Sequence, residues 1–346
     1  MSKVVVDPAS QTVAVQGGAT WSDVDVAAAR HKLAVVGATS HLAGVAAATL
    51  GGGFGWLTGR HGLIIDNLLS VRIVLADGSI HDASADENPG LFWAVRGAGQ
   101  AFGVVTELVF RAHPQNVPIF GGLLKFPAEK LPGVVAFANT FEQKADKDQG
   151  LYFGFTFPRS PWKTEIFAIL FYNGPLAEAE EFFSPLLSLE PTANETDMMP
   201  YEHLNSIVSD MTASPGRKGL AGTNVTFPLR VQVLRDLFEQ FDMIVQTNKG
   251  VGKSLLTFEL LPYAEILKVP IEATACANRG QYYNVRIIFC WHDSNQDAKM
   301  NFLQRALVRK VWECAGLGRH DANQEVDGVG VYSNYAGECH YHLSCA

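Results

Sequence analysis

Alternating apolar and polar positions open the chain, while longer and almost unbroken apolar runs fill its second half. Val4-Val5-Val6-Asp7 and Thr12-Val13-Ala14-Val15 flank Pro8-Ala9-Ser10, which predicts strand, turn and strand. Thr20, with Asp23 three residues on, predicts a capped helix running to Arg30. Leu33 to Val36 reads as a short buried strand. Gly44-Val45-Ala46-Ala47-Ala48-Thr49-Leu50 reads as a helix of small residues ended by Gly51-Gly52-Gly53. Small side chains let another surface approach the helix backbone, where core packing alone favours Leu or Ile. Leu68 to Ala76 and Ser79 to Ala83 predict a hairpin closed by a two-residue Asp77-Gly78 turn. Asn88-Pro89 starts a helix that Gly97 and Gly99 end, with Asn88 as its cap. Phe102 to Arg111 is the next strand, and Pro114 to Pro118 marks a boundary.

Beyond Pro118 the texture changes. Phe120 to Phe126, Leu151 to Phe157, Glu165 to Phe171, Lys253 to Leu260 and Gln281 to Trp291 read as strands. Ala177 to Leu187 and Gln296 to Cys314 read as helices. Long aromatic strands alternating with helices predict an α+β architecture with one broad sheet faced by helices.

At 346 residues the chain is long enough for about two domains. Hydrophobic residues make up 47% and charged ones 18%, which suits large cores and excludes a disordered chain. The formal net charge of −8, with no run of Lys or Arg, argues against nucleic acid as a partner. No apolar stretch reaches the ~20 residues that span a bilayer, so membrane insertion is not expected. The five cysteines are few, odd in number and C-terminal, which argues against a disulfide framework. Cys339-His340-x-His342-x-x-Cys345 imitates a zinc cluster with the wrong spacing, and no metal is expected.

Three constellations bear on chemistry. Gly51-Gly52-Gly53-Phe54-Gly55 and Gly97-Ala98-Gly99 both lack the third glycine of a dinucleotide fingerprint, so a nicotinamide site has little support. Each is either a turn or a stretch of bare backbone that approaches a phosphate. Asp66 and Asn67 sit between apolar runs, where they either cap backbone groups or bond a ligand. Tyr332-Ser333-Asn334-Tyr335, read as extended chain, puts Tyr332 and Asn334 on one face and Tyr335 on the other. A phenol beside an amide suits orientation of a planar ring or removal of a substrate proton, and an aromatic core strand is the alternative.

Taken in order, the motifs resemble a family. They are Gly17-Gly18-Ala19-x-Trp21, Gly44-Val45 through Gly55-Trp56-Leu57, Gly62-Leu63-x-x-Asp66-Asn67-Leu68, Leu91-Phe92-Trp93-Ala94-Val95-Arg96-Gly97 and Phe102-Gly103-Val104-Val105-Thr106, followed by Asn278-Arg279-Gly280 and Val331-Tyr332-x-Asn334-Tyr335. Together they resemble the FAD-linked oxidases with a vanillyl-alcohol-oxidase (PCMH) type flavin domain, in the berberine-bridge-enzyme-like branch. The resemblance implies a partial FAD-binding domain over residues 1–114, a substrate domain with a large antiparallel sheet over 115–325, and a return to the flavin domain over 326–346. It further implies FAD held by Gly44, Val45, Gly51, Gly52, Gly53 and Gly55 at the diphosphate and ribityl chain. Gly103, Val104 and Val105 would meet the adenine end, with Asn334 near the flavin ring. Tyr332 and Glu259 are the catalytic candidates, Glu259 having a structural role as its alternative. The activity implied is oxidation of a small organic molecule in secondary metabolism, by hydride transfer to flavin with O2 as the second substrate.

The family carries a histidine-bearing diphosphate loop ahead of the segment where this chain starts, and a different ending after Gly337. Ser40 stands near the position where some relatives have a cysteine linkage, so no such bond is expected. The chain therefore reads as abbreviated, with weak FAD binding or none expected. A truncated, inactive homologue with a binding role or none is the alternative to the oxidase.

Overall fold

The computed structural model describes residues 1–115, 117–158, 163–212, 216–314 and 332–335. Alternation fixes the first sheet. Val13 and Val15 on β2 (Thr12–Gln16) point inward and are fully buried, while their neighbours stay half exposed. β1 (Val4–Asp7) pairs with β2, which pairs with β6 (Gly103–Arg111). β4 (Leu68–Leu75) joins the other edge of β6, and β5 (Ile80–Ser84) closes the sheet in the order β1-β2-β6-β4-β5. β3 (Leu33–Ala34) and β7 (His113–Pro114) form a small separate pair.

Four helices accompany this sheet. In α1 (Trp21–Ala29) the Asp23 carboxylate accepts the Thr20 N–H at 2.9 Å and its hydroxyl at 3.0 Å, the expected start. α2 (Val45–Leu50) and α3 (Thr58–His61) are short, and α4 (Pro89–Ala98) bends where Gly97 adopts φ 135°.

The second sheet has seven antiparallel strands in the order β11-β8-β10-β9-β13-β14-β12. They are β8 (Ile119–Phe126), β9 (Gln149–Phe157), β10 (Glu165–Tyr172), β11 (Ala193–Met199), β12 (Arg217–Val225), β13 (Ser254–Leu260) and β14 (Tyr283–Trp291). Its central strands are buried on both faces, which explains their near-continuous hydrophobicity. On β10, Ile166, Ala168 and Leu170 join a core shared with α5 (Leu131–Lys144), α6 (Leu176–Leu187), α8 (Val231–Thr247) and α9 (Asp297–Cys314). Phe167, Ile169 and Phe171 face the other way, into a core continuous with Trp21, Trp56 and Ile64 of the first sheet's unit. α7 (Tyr201–Thr212) lies on that side and packs against α1.

The architecture is α+β with a large antiparallel sheet, as expected, but details differ. The β4–β5 connection has three residues rather than two, because Leu75 N–H bonds Ser79 and Gly78 takes φ 83°, a turn-plus-bulge arrangement. Asn88 does not cap α4; its side chain donates to the Asp82 carbonyl at 2.7 Å instead. α5, α7, α8, β11 and β12 were not among the expected elements. The Cys339-to-Cys345 cluster and the ending after Tyr335 lie outside the described residues.

Candidate active site

Alternation along β13 decides which side chains face the first unit. Leu256, Phe258 and Leu260 enter the helix-covered core, so Leu255, Thr257 and Glu259 point the other way. Register then places Tyr152 and Asn284 opposite Glu259, and Arg286 opposite Thr257. Glu259 is 2% exposed. Its Oε1 lies 3.1 Å from Arg286 Nη2, and the Tyr335 hydroxyl donates to both carboxylate oxygens at 3.1 and 3.0 Å. The Arg286 guanidinium also lies 5.9 Å from the Tyr335 ring centre.

Residues 333–335 form a single 3-10 turn rather than extended chain. That turn swings Tyr335 to the side that Tyr332 occupies, their ring centres 4.6 Å apart, and Phe54 packs 4.9 Å from Tyr332. The expected separation of Tyr335 from Tyr332 is therefore wrong, because a tight turn has no two-residue periodicity. Asn334 Nδ2 donates to the Ala48 carbonyl at 3.0 Å and to the Tyr332 hydroxyl at 2.8 Å, and the Ser333 hydroxyl donates to the Gly51 carbonyl at 3.2 Å. Any side chain at Gly51 would collide with the Asn334 amide, so this glycine is what lets the turn dock.

Burial drives the electrostatics. It lifts Glu259 to about 7, against the opposing pull of Arg286 and of the Tyr335 hydroxyl. The Tyr332 phenol is also pushed up, chiefly by burial, and stays protonated. Beside Glu259 lies a void of about 20 Å³, bordered by Phe54, Leu63, Tyr283 and Asn284, room for one water.

A second polar centre braces this one. Asp66 accepts two bonds from Arg279, at 2.5 and 3.0 Å, with both side chains buried, and its Oδ2 also accepts the Leu63 N–H at 2.8 Å. Asn67 donates to the carbonyls of His61 and Leu63 and accepts from His113. Both residues cap backbone, and Asp66 in addition ties the first unit to the 274–280 segment. There Cys276 fills the space beside Gly52.

The glycine positions divide into two groups. Gly51, Gly52, Gly53 and Gly55 are closed by protein: Asn334, Cys276, Ile64 and the Gly37 carbonyl. Gly44 is open, its nearest neighbour in that direction being the Ala47 methyl, and Ala43, Ala46 and Ala47 beside it are partly or fully exposed. Val45 is buried and gives its N–H to the Ala19 carbonyl. On β6, pairing with β2 stops at Glu107, so Gly103, Val104 and Val105 pair with β4 on one edge only. Val104 is 65% exposed.

Comparison with known proteins gives the family and the fold. The FAD binding domain family matches residues 1–84. The FAD-linked oxidoreductase pgmH of Aspergillus terreus is 32% identical over 351 residues, covering 96% of this chain and 69% of its own length. Among solved structures, BBE-like 1 of Physcomitrella patens has TM-score 0.78 at 19% identity, covering 99% of this chain and 74% of its own. The 6-hydroxy-D-nicotine oxidase of Arthrobacter nicotinovorans has TM-score 0.74 at 21% identity, covering 97% and 72%. The chain belongs to the FAD-linked oxidoreductases, with the berberine-bridge-enzyme-like fold, and its cofactor is FAD.

Of the residues picked from sequence, Glu259, Tyr332 and Asn334 come together with Gly51. Gly44 and the Gly103–Val105 edge lie apart from them on the first unit. Sequence reasoning missed Arg286 and Tyr335. Arg286 carried a signal, a cation within a mostly apolar strand.

Proposed function

We propose that this chain is an oxidase of a small organic molecule, with Glu259 as the group that accepts the substrate's O–H or N–H proton. The reading keeps residues 1–114 as the flavin-binding part and 115–325 as the substrate part, with 326–346 as a return to the flavin domain of which only 332–335 are among the described residues. The residues present suit the cofactor at two places. The open stripe of Ala43, Gly44, Ala46 and Ala47 admits a close-packed diphosphate. The free edge at Gly103 and Val104 offers backbone groups to a purine, while Gly17 covers the carbonyl of the buried Val105. Bound FAD supplies the two-electron acceptor, and O2 restores it.

The observation that carries the reading is a carboxylate whose proton affinity sits near neutrality, buried where the two units meet and beside Tyr332. Arg286 and Tyr335 hold the carboxylate in one orientation, so a proton from the Tyr283–Asn284 side reaches a fixed acceptor. Tyr332, protonated and bonded to Asn334, orients a ring and does not act as a base.

The second reading, a homologue without turnover, is favoured by one observation: Phe54, Tyr332 and Tyr335 pack ring against ring and leave only the small void. FAD-loaded wild type and Glu259→Gln, assayed for peroxide against a panel of phenols, alcohols and amines, separate the two. The oxidase predicts turnover that falls about 10²–10⁴-fold in Glu259→Gln at unchanged flavin content. Retained flavin with no turnover on any substrate in the wild type supports the second reading.

A further inference from the structure

Helix α1 buries one stripe, formed by Trp21, Val24, Asp25 and Ala28. Periodicity demands an apolar residue at each of these positions, and three comply. Asp25 does not, yet it is only 3% exposed. Its Oδ2 accepts one hydrogen bond, from Asn205 Nδ2 on α7 at 2.8 Å, and its Oδ1 has no partner. The Tyr201 hydroxyl, buried close by on the same helix, is in no well-aligned hydrogen bond either. None of the ion pairs among the described residues involves Asp25, and the like charge of Glu202 acts on it unfavourably. A buried carboxylate with one hydrogen bond and no counter-ion is costly.

Asp25 and Tyr201 line a cavity of about 240 Å³ between α1, β3, the side chains of Gln115, Val117 and Pro118, and the 200–202 segment. Its other walls include Leu33, Ala34, Val117 and Pro118, which are apolar. Among the described residues of the wall the one basic side chain, Lys32, is exposed. The volume exceeds the roughly 150 Å³ that accommodates benzene, and is far more than a monatomic ion fills.

We propose that this cavity, which shares no lining residue with the void beside Glu259, is a binding site for a small organic amine, its ammonium group paired with Asp25 and its apolar body against Leu33, Ala34 and Pro118. The Tyr201 hydroxyl provides a second acceptor for the ammonium. The site is independent of the assignment of Glu259, because the two carboxylates lie on different elements and share no partner among the described residues.

Titration calorimetry on the full chain at pH 8 in the presence of FAD tests it, with 2-phenylethylamine, the near-isosteric 2-phenylethanol and potassium chloride as probes. The amine is expected to bind at least tenfold more tightly than the alcohol, with that preference lost in Asp25→Asn. Val117→Trp, an exposed rim substitution that does not depend on the core tolerating a change, is expected to abolish amine binding. Equal affinity for amine and alcohol overturns the proposal. So does binding unchanged by either substitution, displacement of the amine by equimolar potassium, or no amine binding at all.

Discussion

Glu259 and Asp25 are both buried carboxylates, and burial lifts each to about 7, yet their surroundings differ. Glu259 has a guanidinium at 3.1 Å and a phenol on both oxygens. Asp25 has one amide and an unpartnered oxygen. The lesson is that proton affinity alone does not tell a built site from an unmet charge. At Glu259 the opposing pull of Arg286 and Tyr335 holds an ionisable group in place, whereas at Asp25 only a proton or an incoming cation relieves the cost.

Breaking the first arrangement has the largest expected effect on folding. Arg286→Met strands Glu259 and costs about 3–5 kcal/mol at pH 8 by denaturant unfolding. The loss shrinks toward pH 5, because the folded protein then carries a protonated Glu259 that needs no counter-charge. A pH-independent loss of that size would assign Arg286 a packing role instead.

Asp25→Asn works in the opposite direction. A carboxyl whose affinity is raised on folding favours the folded state least when it must be ionised. The cost appears as pH rises above about 3.8 and is complete above about 7. Asparagine retains an oxygen for Asn205 and carries no charge. The variant is therefore expected to be more stable than wild type by on the order of 3 kcal/mol at pH 8, and equal to it near pH 4. Destabilisation at pH 8 would contradict the comparison.

Tyr335→Phe has the smallest effect, a loss of about 1.5–3 kcal/mol from removing a hydroxyl bonded to a charged group. It also raises Glu259 further, so the acid limb of any activity profile moves to higher pH. An unmoved limb would separate Glu259 from the reaction.

These contrasts also show what the chain reveals on reading. The first sheet was legible because it has one wet face, and Val13 and Val15 alternate cleanly with half-exposed neighbours. Five of the strands in the seven-stranded sheet were legible, but not their register, since the central strands are apolar on both faces; the edge strands β11 and β12 were missed. α8 was missed although Leu234, Leu237, Phe241, Ile244 and Val245 carry a helical period, a signal present and not used. Glu259, Tyr332 and Asn334 were recognised as candidates, but the partner of Glu259 was not. Tyr335 lies 76 positions away, and only the 3-10 turn over 333–335 brings it round. The glycines were legible as a motif, though four of the five between residues 44 and 55 accommodate the protein itself rather than open space. Asp25 was hidden by the good capping pattern of its own helix.

The most direct test of the central claim is an infrared titration of the carboxyl stretch, comparing wild type with Glu259→Gln. It needs no knowledge of the substrate. The account predicts a buried carboxyl band, absent from Glu259→Gln, that disappears with a midpoint near pH 7. A wild-type band lost near pH 4.5, or a difference spectrum with no titrating carboxyl, would contradict it.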